Sequence, residues 1–280
     1  MTLYHLLDHP ELDDALMIVA FDAWVDAGSA ATAAVTLLAE GALPVAGLET
    51  DGLYDYRARR PTLHIDDGRM RSLDWPRLEV LHRRFTRRDV LLLTGPEPDY
   101  RWQELSRELV MLARDLGVRE WMTLGSIPAA VPHTRPVSIL GITSADGLLK
   151  GGIEAGPIGS MQVPAAAVSV IDLAVAEAGI PTFGYFAQVP HYISGEYPAA
   201  AVALIRAAER HIGEGITTAV LELQARSMAA KLDIAASADD ATQSYVDRLE
   251  AMSDEARLPS GDELIGEIER FLRERGAGGD

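Results

Sequence analysis

The sequence predicts a three-layer α/β sandwich on a mostly parallel central sheet, followed by a helical C-terminal extension. Three observations lead there. Six apolar, β-branched or aromatic runs have strand length, and several are apolar at nearly every position, as suits strands covered on both faces. Between them lie patterns of helical spacing, and strands alternating with helices imply crossover connections and parallel pairing. From about residue 215 only helix patterns remain.

The first strand is LMIVAFD (16–22), which runs into DAWVDAGSA (22–30). The alanine-rich AGSAATAAVTLLAE (27–40) follows as a helix, its small residues at 27–31 permitting close packing at the start. PVAGLE (44–49) is the second strand. The stretch 52–88 is arginine-rich and alternating; it reads as a β-hairpin or an extension of the sheet, with DDG (66–68) at its turn. DVLLLTG (89–95) is the third strand. In YRWQELSRELVMLARDLG (100–117), Leu105, Leu109, Leu112 and Leu116 recur at helical spacing, and Gly117 is a helix stop. EWMTLGS (120–126) and VSILGIT (137–143) are strands four and five, and TFGYFAQVP (182–190) is the sixth. VPAAAVSVIDLAVAEAG (163–179) ends on Gly179, and YPAAAVALIRAAERHIG (197–213) carries Pro198 in its first turn, where proline is tolerated. The tail shows helix patterns at 217–234, 239–256 and 261–275 and a GAGGD end of disordered composition. An α/β core domain at 1–215, with the arginine-rich insertion at 52–88, and a helical segment at 216–280 are therefore expected.

A chain of 280 residues, 48% apolar and 24% charged, can bury a full core. It has no cysteine, which removes disulfides, thiolate catalysis and cysteine-ligated metals together. The N-terminus lacks the basic start and long apolar core of a signal peptide, and no apolar run reaches the ~20 residues of a bilayer span. A cytoplasmic protein without membrane association is expected. A net charge of −17 argues against nucleic acid as a partner. The charge is uneven. Residues 57–88 hold ten arginines against four acids, a net of +6, whereas the last fifty residues hold six bases against thirteen acids, a net of −7. The two either dock on one another, within or between subunits, or face solvent.

In an open parallel sheet, ligands bind beyond the carboxyl ends of the strands. Four loops leave those ends: 22–30, 95–102, 125–136 and 189–198. They supply the candidate cleft or recognition residues Asp22, Trp24, Asp26, Glu97, Asp99, Arg101, Trp102, Ser126, His133, Thr134, Arg135, His191, Tyr192 and Tyr197. DAWVDAGSA places small residues before a helix, whose free N–H groups favour an anion, but it matches neither GxGxxG nor GxxxxGK[ST]. Asp26 alternatively caps the helix while Trp24 packs. Ser126 and His133 pair as nucleophile and base only if their loop folds back. Their neighbourhood, LGSIP, lacks the GxSxG elbow, and an orienting acid would have to arrive from Asp22, Asp26, Glu97 or Asp99. No catalytic residue is assigned. Prolines at 128, 132 and 136 stiffen this loop, and rigidity serves recognition as well as catalysis. Arg135 offers a planar fork to a carboxylate or phosphate, or pairs with Glu97 or Asp99. Glu97 and Asp99 are close enough to hold a hard cation or divide acid and base roles. Alternatively they cap the helix from 100; Asp99 is placed for that, and Glu97 lies too early. His133 and His191 are the only histidines in these loops and no HExxH pair exists, so neither a metal nor a cofactor is expected.

FDAWVDAGSA (21–30), LLLTGPEPDYRW (91–102), SIPAAVPHTRP (126–136) and VPHYISGEYP (189–198) together resemble the proteasome assembly chaperone family in its actinobacterial form, over about residues 15–215. The resemblance implies a three-layer α/β fold like that of purine nucleoside phosphorylases, and a homo-oligomer, with a trimer the first expectation. Eukaryotic members of the family act as heterodimeric chaperones in building the proteasome α-ring, and archaeal relatives form homo-oligomers. Two functional readings therefore stand. One is a non-catalytic oligomeric protein that binds protein partners, proteasome-related ones by the resemblance, through the rim loops. The other is a phosphorylase- or hydrolase-like enzyme or binding protein acting on a small anionic ligand in the cleft.

Overall fold

A computed structural model describes residues 2–157 and 159–256; the helix expected at 261–275 and the GAGGD end lie outside the described residues. The strands are β1 (Tyr4–Leu6), β2 (Leu16–Asp22), β3 (Leu43–Leu48), β4 (Thr62–Asp66), β5 (Arg69–Asp74), β6 (Glu79–Arg84), β7 (Asp89–Pro96), β8 (Glu120–Ala129), β9 (Ile139–Thr143) and β10 (Thr182–Pro190). The helices are α1 (Ala30–Leu38), α2 (Trp102–Asp115), α3 (Ala167–Glu177), α4 (Pro198–Ile212), α5 (Ala219–Ser237) and α6 (Asp240–Ala256).

Eight strands form one mixed sheet in the order β1-β3-β6-β7-β2-β8-β10-β9. The four central strands β7, β2, β8 and β10 are parallel, and the flanking pairs are antiparallel. The sheet is thus parallel only at its centre. The flank has a local cause: β6 and β7 are joined by only four residues, 85–88, too short for a parallel crossover. Both outer strands are short. The free side of β9 is bridged by Ala155, and Gly156 N–H donates to the Gly141 carbonyl at 2.9 Å.

Period-two alternation sorts the continuous apolar strands onto two faces. Leu16, Ile18 and Ala20 pack with α1 and α4, whereas Met17, Val19 and Phe21 pack with α2 and α3. Three layers result, as expected. Leu105, Leu109 and Leu112 of α2 are fully enclosed, each contributing ~1.5–3 kcal/mol of apolar burial.

Segment 52–88 divides. Its end, β6, lies inside the main sheet, while β4 and β5 make a separate two-stranded hairpin turning at Asp67–Gly68. Every residue of β4 and β5 is exposed. Leu63 pairs with Leu73 and Ile65 with Met70, so one face of the hairpin is apolar.

Candidate functional site

Because β7, β2, β8 and β10 are parallel neighbours, the four loops leave the same rim of the sheet. Much of their polar chemistry is committed to holding the chain's own segments.

Glu97 has an unanticipated partner. Its Oε1 accepts from the Ala167 N–H at 2.7 Å and its Oε2 from the Trp24 N–H at 3.3 Å. The carboxylate thus caps α3, whose own flanking residue, Ala166, supplies no side-chain cap. Asp26 caps α1: Oδ1 accepts from Ala31 N–H (2.8 Å) and Thr32 N–H (3.2 Å), and Oδ2 from the Thr32 hydroxyl (2.6 Å). Burial raises its pKa, and these hydrogen bonds oppose the rise. Trp24 does not pack beside it; its side chain stands out, 63% exposed. Asp99 does not cap α2. The chain enters that helix through Arg101 in a left-handed conformation (φ 60°), and the carboxylate turns instead to the Asp55 N–H at 2.8 Å. Arg59 reaches in from the 52–61 turn to Asp22 at 2.9 Å and stands 4.0 Å from Asp99. Arg101 forms a fork with Glu104 at 2.6 and 2.9 Å, and the Trp102 indole N–H donates to the Pro98 carbonyl at 2.6 Å.

Ser126 and His133 do not pair with each other. Ser126 is fully buried, and its hydroxyl donates to the Ala27 carbonyl at 2.8 Å. The His133 N–H donates to the Tyr192 hydroxyl, which also meets His133 Nδ1, both at 2.8 Å. Nε2 stands 3.3 Å from Asp233 Oδ1 without hydrogen-bond alignment. Burial raises the pKa of Tyr192, and that of Tyr197 to about 12. Tyr197 closes the rim where its N–H donates to the Gly28 carbonyl at 2.8 Å. A Cβ on Gly28 would sit 2.7 Å from Tyr197 Cβ, so glycine is required both by contact and by its φ of 65°.

The residues that sequence reasoning missed come from the tail. Arg135 pairs with neither Glu97 nor Asp99. Its Nε and Nη2 grip Asp254 of α6, each at 2.8 Å, with Glu250 at 3.3 Å from Nη1. The two carboxylates raise the pKa of the guanidinium. Thr134 donates to Glu250, and His191 meets the Tyr245 hydroxyl at 3.0 Å. The α5–α6 pair therefore lies across the His133 and His191 loops. The acidity of the tail was the available signal, but it engages the rim loop within its own chain.

Beside Tyr197, the starts of α4 and α5 meet α1 around a groove of about 630 Å³. Ala33, Leu37, Val220 and Leu221 supply apolar lining, with Ser29, Thr32, Thr36, Thr217 and Thr218 as hydroxyls and Glu40 and Glu196 as acids; among the described residues no lysine or arginine lines it. Among the described residues no cluster of three or more histidines and acids could hold a metal, and no helix is long and apolar enough to cross a membrane.

A model of the PAC2 family matches residues 20–236. The chain belongs to the PAC2 family. Solved structures agree. A Corynebacterium glutamicum protein of unknown function is 29% identical, with a TM-score of 0.82, over 91% of this chain and 98% of its own. A Mycobacterium tuberculosis protein of unknown function is 30% identical, with a TM-score of 0.79, over 90% and 91%. A Mycobacterium tuberculosis proteasome-assembly chaperone homologue is 33% identical, with a TM-score of 0.73, over 82% of this PAC2 chain and 99% of its own. No curated protein matches.

Proposed function

We propose that this PAC2 protein is a non-catalytic, homo-oligomeric factor of the cytoplasm that binds protein partners in proteasome assembly, a reading supported by its 33%-identical relative, a proteasome-assembly chaperone homologue. The observation that carries the reading is how the rim uses its reactive side chains. Glu97 caps α3, Asp26 caps α1, Ser126 ties to Ala27, His133 to Tyr192, and Arg135 to α6. These groups make a rigid presented surface, with Trp24 and Tyr100 exposed on it, and aromatic side chains of this kind anchor protein interfaces. The oligomer we propose is a trimer.

The test combines light scattering with reconstitution. The purified chain is expected at three times its 30.2 kDa mass and is expected to speed ring formation by proteasome α subunits in a native gel. Two results would sink the reading: a chain that stays monomeric at tens of micromolar and leaves α subunits unaffected, or a hydrolytic activity that Ser126→Ala abolishes.

A further inference from the structure

We propose that the groove between α1 and the starts of α4 and α5 binds a linear aliphatic polyamine. This site is independent of the assembly role proposed above.

Helical periodicity sets one wall. Ser29, Thr32, Thr36 and Glu40 follow one another at intervals of three and four residues, so they form a single stripe along α1 that faces the groove. The stripe offers a polar group at each turn, about 5.4 Å apart, and ends in a carboxylate. The Thr32 hydroxyl already donates to Asp26 Oδ2 at 2.6 Å. Its lone pairs remain, and they accept from an N–H donor. Leu37, Val220 and Leu221 supply apolar surface beside the stripe.

A second carboxylate marks the other end. The Tyr197 N–H donates to the Gly28 carbonyl at 2.8 Å, which brings the neighbouring Glu196 to the start of α1. Glu40 follows the end of that helix, so the length of α1, roughly 16 Å from Ser29 to Glu40, separates the two acids. Neither carboxylate forms an ion pair among the described residues, and no base among them lines the groove. Arg206 reaches Thr218 without lining the groove, and Glu209 and Glu222 hold it.

Charge, length and polarity together select the ligand. Carboxylates at opposite ends call for a cation at each end, and a compact metal ion is too small to meet both. The apolar floor calls for methylenes between them. Hydroxyl acceptors at turn spacing call for further N–H donors along the way. A linear polyamine has this pattern, since its ammonium groups are separated by short methylene spacers about one helical turn long. The groove volume, about 630 Å³, is that of a small-molecule site. An anion would meet two unpaired carboxylates and no base.

Calorimetric titration of the full chain with spermine tests the assignment. In 0.15 M salt the general field of a −17 chain is screened beyond about 8 Å, and saturable binding of one spermine per chain is expected. Glu40→Gln with Glu196→Gln is expected to weaken it about fivefold, as for the loss of two exposed ion pairs. Thr36→Lys sets a base in the middle of the stripe and is expected to abolish binding. Asp67→Asn with Asp146→Asn removes the same charge outside the groove and is expected to leave binding unchanged. All five side chains are exposed, so the fold is not at stake. Butylamine, with one ammonium, and magnesium are expected not to displace spermine at matched concentration. A wild-type chain without saturable spermine binding would overturn the proposal. Equal weakening by the two pairs of carboxylate variants, or displacement by magnesium, would overturn it too, by reducing the binding to general attraction.

Discussion

Replacing Asp172 by asparagine should remove a loss of stability that sets in as pH rises, and the size of the effect follows from where the carboxylate sits. It is enclosed between α3 and β8, although the residue as a whole is partly exposed. It accepts from the Trp121 indole at 2.9 Å and the Thr123 hydroxyl at 2.8 Å. Burial raises its pKa from 3.8 to about 7, against the opposing effect of these two hydrogen bonds. The folded chain therefore keeps a proton that the unfolded chain gives up. Stability from this group is full below pH 3.8 and lost as pH rises through 7, at about 1.4 kcal/mol per pH unit and about 4 kcal/mol in all. Asparagine stays neutral, while its buried amide adds a penalty independent of pH. Urea unfolding at pH 5.5 and pH 8 separates the two. Relative to wild type, the variant should gain about 2 kcal/mol between those pH values. An equal difference at both would refute the buried-acid reasoning. His211 acts with the opposite sign. Stacked 4.4 Å from Phe183, it is lowered by burial from 6.5 to about 4, so its contribution is present above pH 6.5 and lost as pH falls through 4. Between those values the two slopes oppose each other in the wild type, and Asp172→Asn should expose the histidine's alone.

Glu97→Ala removes the cap of α3 and should cost about 1 kcal/mol, read as a lower urea midpoint; Glu97→Gln, still an acceptor, should cost less. Arg135→Glu sets a third acid against Glu250 and Asp254, so amide exchange should accelerate along α6 and stay unchanged in the central strands.

The layers were legible because β2, β7, β8 and β10 are nearly continuous in apolar character and the helices between them end at glycine or proline signals. β6 was not, since EVLHRR carries charge at half its positions and reads as part of the arginine-rich stretch. The four loops leave one rim because their strands are parallel neighbours. The partners of their side chains were not legible, because capping and ion pairing are set by tertiary approach: Glu97 caps a helix seventy residues away, and Arg135 meets an acid 119 residues on. Net charge marked the tail as acidic, but charge counting set it against either ten arginines or solvent and did not reach the single fork that has the matching geometry.

The borders of the main sheet limit how this molecule can multiply. β1 offers only three residues and β9 only five, the latter already bridged on its outer side by Ala155. Strand-by-strand extension into a filament finds little unpaired backbone at either border. The sheet edges thus leave contact between copies of the chain to side chains and not to shared strands.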